Sequence, residues 1–239
     1  MRFRGHAFVD WDDTIAENIR YFREAEEENA RRIAAATGWD PREVRRRGRE
    51  LDVIVARRMG LVKESFATAW IECYREFCAR AGIRPEAAVE AAIRETCLFP
   101  YQVRQEILPG AAETLAWLHQ AGFEVIIWTA GDEAVQRRKV RESGLEHLTH
   151  RVVVVPEKSP ERLREALGHR DPARSFVMGN SAHSDIRPAL TLGLLALHIP
   201  VETWAYDQVE IDPTDPNYHR LDRITDAPPV LSRRFEEAV

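Results

Sequence analysis

Cysteine is scarce in this chain. The 239 residues include three cysteines, at positions 73, 78 and 97. A small, odd number without metal-ligand spacing predicts free thiols in a reducing compartment, and argues against a disulfide framework. Cys73 and Cys78 fall in a helical pattern, so we expect them to pack in a core.

Long apolar runs and an excess of positive charge are also lacking. No stretch is long enough to span a bilayer, and residues 1–6 lack the apolar segment of a signal peptide. The formal net charge of −5 argues against a general nucleic-acid or membrane-surface binder. We therefore expect a cytoplasmic protein with no nucleic-acid or membrane partner. The sequence predicts no oligomeric state.

Residues 15–99 have a helical pattern. Ile19, Phe22 and Ala25 share one helical face. Aromatic residues spaced by three or four indicate the core of a small bundle, and they are Phe66, Trp70, Tyr74 and Phe77. We expect three or four amphipathic helices in this segment.

One dense basic run lies inside the helical segment, at Arg45–Arg49. Glu43 and Glu50 flank it, which favours a solvated helix face. The alternative is that the run attracts an anionic substrate towards a site.

Short apolar runs alternate with helical patterns in the rest of the chain. The predicted strands are 7–9, 123–128, 152–155, 175–178 and 194–199. Strand–helix alternation of this length predicts βαβ crossovers and a parallel sheet. The fold class is thus α/β, with a doubly wound, Rossmann-like core (1–14 and 100–239) and an all-helical cap domain (15–99) inserted after the first strand. We expect the tail from Val201 to wrap the sheet edge.

Polar residues follow four of the predicted strands. The carboxyl ends of parallel strands meet at one edge, where such sheets bind ligands. Each residue alone has an ordinary explanation as a helix cap, a turn or a surface charge. Together they predict a site built from Asp10, Asp12, Thr14, Thr129, Gly131, Lys158, Asn180 and Asp185. Two acids two residues apart in extended chain point the same way, and their like charges require a cation or a catalytic task.

The segments DWDDT, WTAG, EKSP and GNSAHSD resemble, in this order, the four motifs of the haloacid dehalogenase superfamily of hydrolases, most of which are phosphatases. The resemblance runs from about Phe3 to Trp204. The helical insert resembles the family's C1 cap, which covers the active site and selects the substrate. The second motif continues as in a subset of members, with Gly131-Asp132 followed by Gln136 and Lys139.

The resemblance implies a role for each motif residue. Asp10 would be the nucleophile that forms an aspartyl-phosphate, and Asp12 the general acid and base. Thr129 and the Gly131 amide would hold phosphoryl oxygens, and Lys158 would neutralise their charge.

A metal site is implied as well. Asp10, the Asp12 carbonyl, Asp185 and Asn180 would bind Mg²⁺, which prefers oxygen ligands. Asn180 departs from the family pattern, since many phosphatases have an aspartate there, and the change would weaken metal binding. Trp11 is bulky for the first motif, and its ring faces either the core or the substrate. His183 is expected at the surface.

These assignments predict a Mg²⁺-dependent phosphomonoester hydrolase acting on a small phosphorylated metabolite. The first alternative is a 2-haloacid dehalogenase, although that branch lacks an acid at the position of Asp12. The second is a phosphomutase, which passes the phosphoryl group to a sugar hydroxyl. The third is a non-catalytic binding protein on the same scaffold, which the asparagine at 180 leaves open.

Overall fold

The structure is a computed structural model that describes residues 3–201 and 209–236. The chain divides into two compact units. Met1–Glu17 and Arg104–Val239 form the core unit, and Asn18–Val103 forms the helical unit. The sequence had placed these boundaries at 14/15 and 99/100. Pro100 lies inside the last helix of the helical unit, which continues to Gln102.

Four helices make up the helical unit. They are α1 (Ile19–Thr37), α2 (Pro41–Met59), α3 (Lys63–Ala81) and α4 (Ala87–Gln102). Asp40 caps α2 by accepting a hydrogen bond from the Arg42 amide, with Pro41 at the first helical position. The aromatic residues of α3 (Phe66, Trp70, Tyr74 and Phe77) are buried, as their spacing predicts. The three cysteines are also buried and free.

The basic run on α2 is paired with glutamates of the helical unit. Arg46 and Arg47 lie 2.5 and 3.0 Å from Glu50, while Arg49 lies 2.7 Å from Glu26. These ion pairs partly neutralise the positive charge of the run, which favours its interpretation as a solvated helix face.

The core unit contains a six-stranded sheet in the order β3-β2-β1-β4-β5-β6, with every neighbouring pair parallel. The strands are β1 (Gly5–Val9), β2 (Phe123–Ala130), β3 (Arg151–Val155), β4 (Ser175–Gly179), β5 (Leu195–His198) and β6 (Tyr218–Arg220). The predicted α/β class and parallel sheet are confirmed. The sixth strand was missed, because its residues are largely exposed and carry no apolar run.

Helices cover both faces of the sheet. They are α5 (Ala111–Gln120), α6 (Glu133–Ser143), α7 (Pro160–Leu167), α8 (Arg187–Thr191) and α9 (Ala227–Glu236). On one face Ala7 and Val9 of β1 pack with side chains of α5 and α9. On the other, Phe8 packs with side chains of α7 and α8. This alternation is the period-2 geometry of a strand buried on both sides.

The carboxyl-terminal segment returns to the sheet. β6 pairs with β5 at the sheet edge, and Leu231 and Phe235 of α9 are buried in the first core cluster. The tail was expected to wrap this edge, and the part described here lies there. Its residues 202–208, which include Trp204, lie outside the described residues. No helix in the described ranges has the length and apolarity needed to cross a membrane.

An ion-pair cluster lies at the amino-terminal edge of the sheet. Arg170 donates to both oxygens of Glu124 at 2.7 Å, and His6 Nδ1 donates to the same carboxylate at 2.8 Å. The hydrogen bonds from Arg170 lower the pKa of Glu124 to about 2 against the opposing effect of burial, and His6 adds to the lowering. The ionised form of Glu124 therefore stabilises the folded core unit.

Glu124→Gln should lower the free energy of unfolding at pH 7 by about 3 kcal/mol, since each unit of pKa shift corresponds to about 1.4 kcal/mol. Because the folded pKa lies below the ordinary 4.5, this stabilisation is complete well above pH 4.5 and declines as the pH falls towards 2. Urea unfolding at pH 7 and pH 3 should show the difference between wild type and variant shrinking at pH 3. The exposed Glu146→Gln is the matched control. An equal difference at both pH values would contradict the assignment.

Candidate active site

Asp10 follows β1 at the carboxyl edge of the sheet. Its amide donates to the Met178 carbonyl at 2.9 Å, which continues the ladder between β1 and β4 by one residue. The side chain is buried, with 5% of the residue exposed. Thr14 Oγ1 donates to Oδ2 of Asp10 at 2.9 Å, and Lys158 Nζ donates to Oδ1. Both carboxylate oxygens are thus held by donors.

Lys158 links Asp10 to a second carboxylate. It lies in the loop between β3 and α7, and its Nζ also donates to Oδ1 of Asp185 at 2.6 Å. The three side chains are 4%, 7% and 1% exposed, in the order Lys158, Asp10 and Asp185. One ammonium therefore lies between two buried carboxylates, and the three groups carry one net negative charge when all are ionised.

Burial and charge act in opposite directions on this group. Burial raises the pKa of Asp10 to about 7, Lys158 opposes the rise, and the negative charge of Asp185 adds to it. Burial alone would lower the pKa of Lys158, but Asp10 and Asp185 outweigh burial and raise it. Lys158 therefore stays protonated at physiological pH, so it can bind a negatively charged group.

Gly179 makes room for Asp185. It is the last residue of β4, and a Cβ at this position would overlap Cγ and Oδ2 of Asp185 and lie 2.8 Å from its Cβ. The Ser181 amide donates to Asp185 Oδ2 at 3.1 Å and fixes the side chain above the glycine. A glycine is therefore required where the carboxylate crosses the strand end.

Asn180 contacts Thr14, in the turn after β1, and His198, the last residue of β5. Thr14 Oγ1 lies 3.4 Å from its Oδ1, and His198 Nε2 donates to its backbone carbonyl at 3.0 Å. Since Nε2 carries the proton in a neutral ring, the Tyr218 hydroxyl donates to Nδ1 at 2.9 Å. Burial lowers the pKa of His198, which favours this neutral form. His198 was not predicted from the sequence, although a polar residue at the end of an apolar strand was the available signal.

Asp12 has a separate set of partners. Lys139 Nζ donates to its two oxygens at 2.8 and 3.0 Å, Gln105 Nε2 donates to Oδ1 at 2.8 Å and Gln136 Nε2 to Oδ2 at 2.7 Å. Burial alone would raise the pKa of Asp12, but Lys139 and the hydrogen bonds from both glutamines outweigh burial and lower it. Gln136 and Lys139 had been noted as part of the second motif without a role, and Gln105 had no sequence signal.

The second motif places Thr129 at the end of β2 and Gly131 directly after it. Thr129 is 1% exposed, and its Oγ1 accepts from Gln136 Nε2 at 2.9 Å, so Thr129 is connected to Asp12 through this amide. The Gly131 amide donates to the Val155 carbonyl at 2.9 Å. In this structure the one hydrogen of that amide is used between β2 and β3, and its contact with phosphoryl oxygens stays a prediction.

Two further expectations concern Trp11 and His183. Trp11 is 1% exposed and belongs to the first core cluster, so its ring faces the core. His183 was expected at the surface. It is half-buried, and its Nδ1 is buried with no hydrogen-bond partner among the residues that the structure describes.

The oxygens at this edge suit a hard cation. Within residues 3–201 and 209–236, no group of three or more His, Cys, Asp or Glu side chains is arranged to hold a metal ion. The available ligands are the two carboxylates of Asp10 and Asp185, the Asn180 amide oxygen and backbone carbonyls. Such a set without nitrogen or sulfur fits Mg²⁺, which binds through one or two carboxylates and keeps several waters.

Comparison with known proteins identifies the class. Residues 6–193 match the model of the haloacid dehalogenase-like hydrolase family, which is more than half of the chain. The chain belongs to this family of hydrolases, as the four motifs predicted. Comparison with curated proteins gives no match.

Solved structures share this fold over nearly the whole chain. A haloacid dehalogenase-like family hydrolase from Xanthomonas campestris is 24% identical over 100% of this chain and 99% of its own, with a TM-score of 0.81. A HAD phosphatase from Thermococcus onnurineus is 18% identical, covering 95% of this chain and 97% of its own, with a TM-score of 0.61. A HAD-hydrolase from Bacillus subtilis, bound to magnesium, is 18% identical over 97% of this chain and 99% of its own, with a TM-score of 0.62. Other structures of this fold are dehalogenases. At these identities the likeness extends to the fold alone.

Gly179→Ala should displace the Asp185 carboxylate from Lys158, since the added methyl group occupies the same space. We expect a loss of about 1–3 kcal/mol in the free energy of unfolding, typical of overpacking in a buried site. Urea unfolding measures the loss, and a crystal structure of the variant would locate Asp185. In an Asp185→Gly background the clashing atoms are absent, so the same substitution should cost much less. Equal costs in both backgrounds would contradict the explanation.

Proposed function

We propose that this hydrolase is a Mg²⁺-dependent phosphomonoesterase that acts on a small phosphorylated metabolite through an aspartyl-phosphate at Asp10. The observation that carries the proposal is the contact of Lys158 with both Asp10 and Asp185, next to a second acid at Asp12. A buried ammonium beside a buried nucleophilic carboxylate suits a reaction that brings a phosphate dianion to that carboxylate.

The first half of the reaction forms the covalent intermediate. Lys158 and the Thr129 hydroxyl bind oxygens of the phosphoryl group, which aligns phosphorus with an oxygen of Asp10. The new bond between Asp10 and phosphorus forms as the ester P–O bond breaks. Asp12 would take up a proton as the phosphate dianion binds beside it, since a nearby negative charge favours the protonated form. It then gives this proton to the leaving alkoxide, so the product departs as a neutral alcohol.

The second half regenerates the enzyme. Asp12, now ionised, takes a proton from a water molecule, whose oxygen attacks phosphorus. The bond between phosphorus and Asp10 breaks, inorganic phosphate leaves, and Asp10 returns as a carboxylate. Splitting one displacement into two lets the same acid serve as proton donor and then as proton acceptor.

Asp10, Asp185, Asn180 and the Asp12 carbonyl would hold Mg²⁺. When bound, the ion neutralises charge on the phosphoryl oxygens and lowers the repulsion between them and Asp10. The asparagine at 180 supplies a neutral oxygen, which is consistent with weaker metal binding than a third carboxylate would give.

The acid at position 12 is an argument for phosphate esters, and against haloacids, as the substrate. A halide leaves as an anion and needs no proton, whereas an alkoxide does. Gln105, Gln136 and Lys139 hold the acid in place, which a dehalogenase has no reason to require. We also propose a cytoplasmic location, in keeping with three free, buried cysteines.

Purified protein should release phosphate from p-nitrophenyl phosphate with Mg²⁺ present and stop when the ion is chelated. Asp10→Asn should reduce kcat by roughly 1,000-fold or more, because the nucleophile is lost. The exposed Glu146→Gln is the control and should match wild type. Chloride release from 2-chloropropionate without phosphate release would favour the dehalogenase, and activity that survives in Asp10→Asn would overturn the proposal.

Asp12→Asn should lower kcat more for an alkyl phosphate than for p-nitrophenyl phosphate. The nitrophenolate ion leaves without protonation, so it depends less on a proton donor. We expect the losses to differ by about 10-fold or more. Equal losses for both esters would refute the acid role and leave the nucleophile assignment intact.

A further inference from the structure

A lysine outside the residues assigned a role by the four motifs is buried against the proposed acid. Lys139 lies on α6 and is 8% exposed, while its neighbour Arg137 has 49% of its side chain exposed. Burying an ammonium is strongly unfavourable unless an opposite charge compensates. The partner here is Asp12, which Lys139 contacts through both carboxylate oxygens at 2.8 and 3.0 Å.

Gln136 lies three residues earlier on the same helix face and contacts the same carboxylate. Its Nε2 has three acceptors within 2.9 Å, namely Asp12 Oδ2, Thr129 Oγ1 and the Ala130 carbonyl, but it carries two hydrogens. Its Oε1 is buried without a hydrogen-bond partner in the part of the chain that the structure describes. Leaving a buried amide oxygen without a hydrogen bond destabilises the fold. The amide is thus oriented towards Asp12 in spite of this cost.

Gln105 completes the set from another segment of the core unit. Its Nε2 donates to Asp12 Oδ1 at 2.8 Å, and its Oε1 accepts from Trp11 Nε1 at 2.9 Å. Because the Trp11 ring is packed in the core, Gln105 is anchored on its far side.

The backbone explains why Asp12 needs this support. Asp12 lies beyond the end of β1 in a tight turn, where the Trp11 carbonyl accepts from the amides of Ile15 and Ala16 at 2.9 and 3.0 Å. The next residue, Asp13, has a left-handed φ of 61°, which is rare outside glycine. The extended strand therefore does not set the direction of the Asp12 side chain, and side-chain contacts must do so.

We propose that Lys139 is a positioning residue that, with Gln136 and Gln105, orients the Asp12 carboxylate for proton transfer. This inference rests on the proposed phosphomonoesterase function. Lys139 is the dominant member, because its ammonium contacts both oxygens, whereas the two hydrogens of Gln136 are shared among three acceptors. Without Lys139, the carboxylate is held by single contacts to each oxygen and loses its orientation.

The test is a double-mutant cycle on kcat, with Lys139→Met, Asp12→Asn and the combined variant. An alkyl phosphate and p-nitrophenyl phosphate serve as substrates at saturating Mg²⁺. Lys139→Met should lower kcat for the alkyl ester by about 10- to 100-fold, since misplacing a catalytic group by about 1 Å costs this much. The loss for the aryl ester should be smaller, and KM should stay within about 2-fold. In the Asp12→Asn background, Lys139→Met should have no further effect on kcat.

Two variants serve as controls. Arg137→Met removes an exposed cation from the same helix and should leave kcat at the wild-type value. Lys139→Arg keeps the charge and should recover part of the lost activity for the alkyl ester. If Lys139→Met does not fold, Lys139→Gln takes its place in the cycle with the same expected non-additivity.

The outcomes separate this inference from the proposed function. Additive losses in the combined variant, or a Lys139→Met enzyme with unchanged kcat, would overturn the positioning role while phosphate release by the wild type stands. Failure of the wild type to release phosphate from either ester with Mg²⁺ would overturn the proposed function and this role together.

Discussion

The ammonium of Lys158 lies between the carboxylates of Asp10 and Asp185, and the geometry of the candidate site depends on this contact. Two buried carboxylates so close together repel each other and are costly to remove from water. The lysine compensates for both costs. It comes from the loop after β3, while the acids follow β1 and β4, so three segments distant in sequence meet because their strands are parallel. Gly179 lets Asp185 lie across the end of β4.

The two acids of the first motif lie two residues apart and have opposite environments. Burial dominates at Asp10, so its pKa rises, although Lys158 opposes the change. Asp12 is only partly buried, and although desolvation would raise its pKa, Lys139 and two glutamine amides lower it. The proposed reaction starts from the opposite protonation states, with Asp10 ionised and Asp12 protonated, so the bound phosphate dianion and metal ion would have to shift both pKa values.

Much of the fold could be predicted from the sequence, because the signals were strong and local. Apolar runs identified five strands, and the rule that parallel strands share a carboxyl edge brought Lys158 and Asp185 to Asp10. The sixth strand could not be found this way, since the largely exposed Tyr218-His219-Arg220 segment joins the sheet through backbone pairing. The expected boundary at 99/100 falls inside α4, which continues past Pro100 to Gln102.

The details of the site depend on contacts that no local pattern encodes. Gln105 reaches Asp12 across 93 positions of sequence, and Lys139 reaches it across 127. The hydrogen bond from the Gly131 amide to the Val155 carbonyl could not be predicted either, because it depends on how β2 and β3 pair. Spacing along the chain predicted which strand ends carry candidate site residues. The hydrogen-bond partner of each donor depended on tertiary packing.

The covalent state of Asp10 during turnover tests the central claim most directly. Borohydride reduces an acyl phosphate to an alcohol, so trapping the enzyme with a phosphate ester and Mg²⁺ should convert Asp10 to homoserine, detectable as a mass change in the peptide that contains it. We expect this product at position 10, and we expect it to disappear when the ester is omitted. Phosphate release at full rate with Asp10 unmodified, or with the reduced residue elsewhere, would contradict the account.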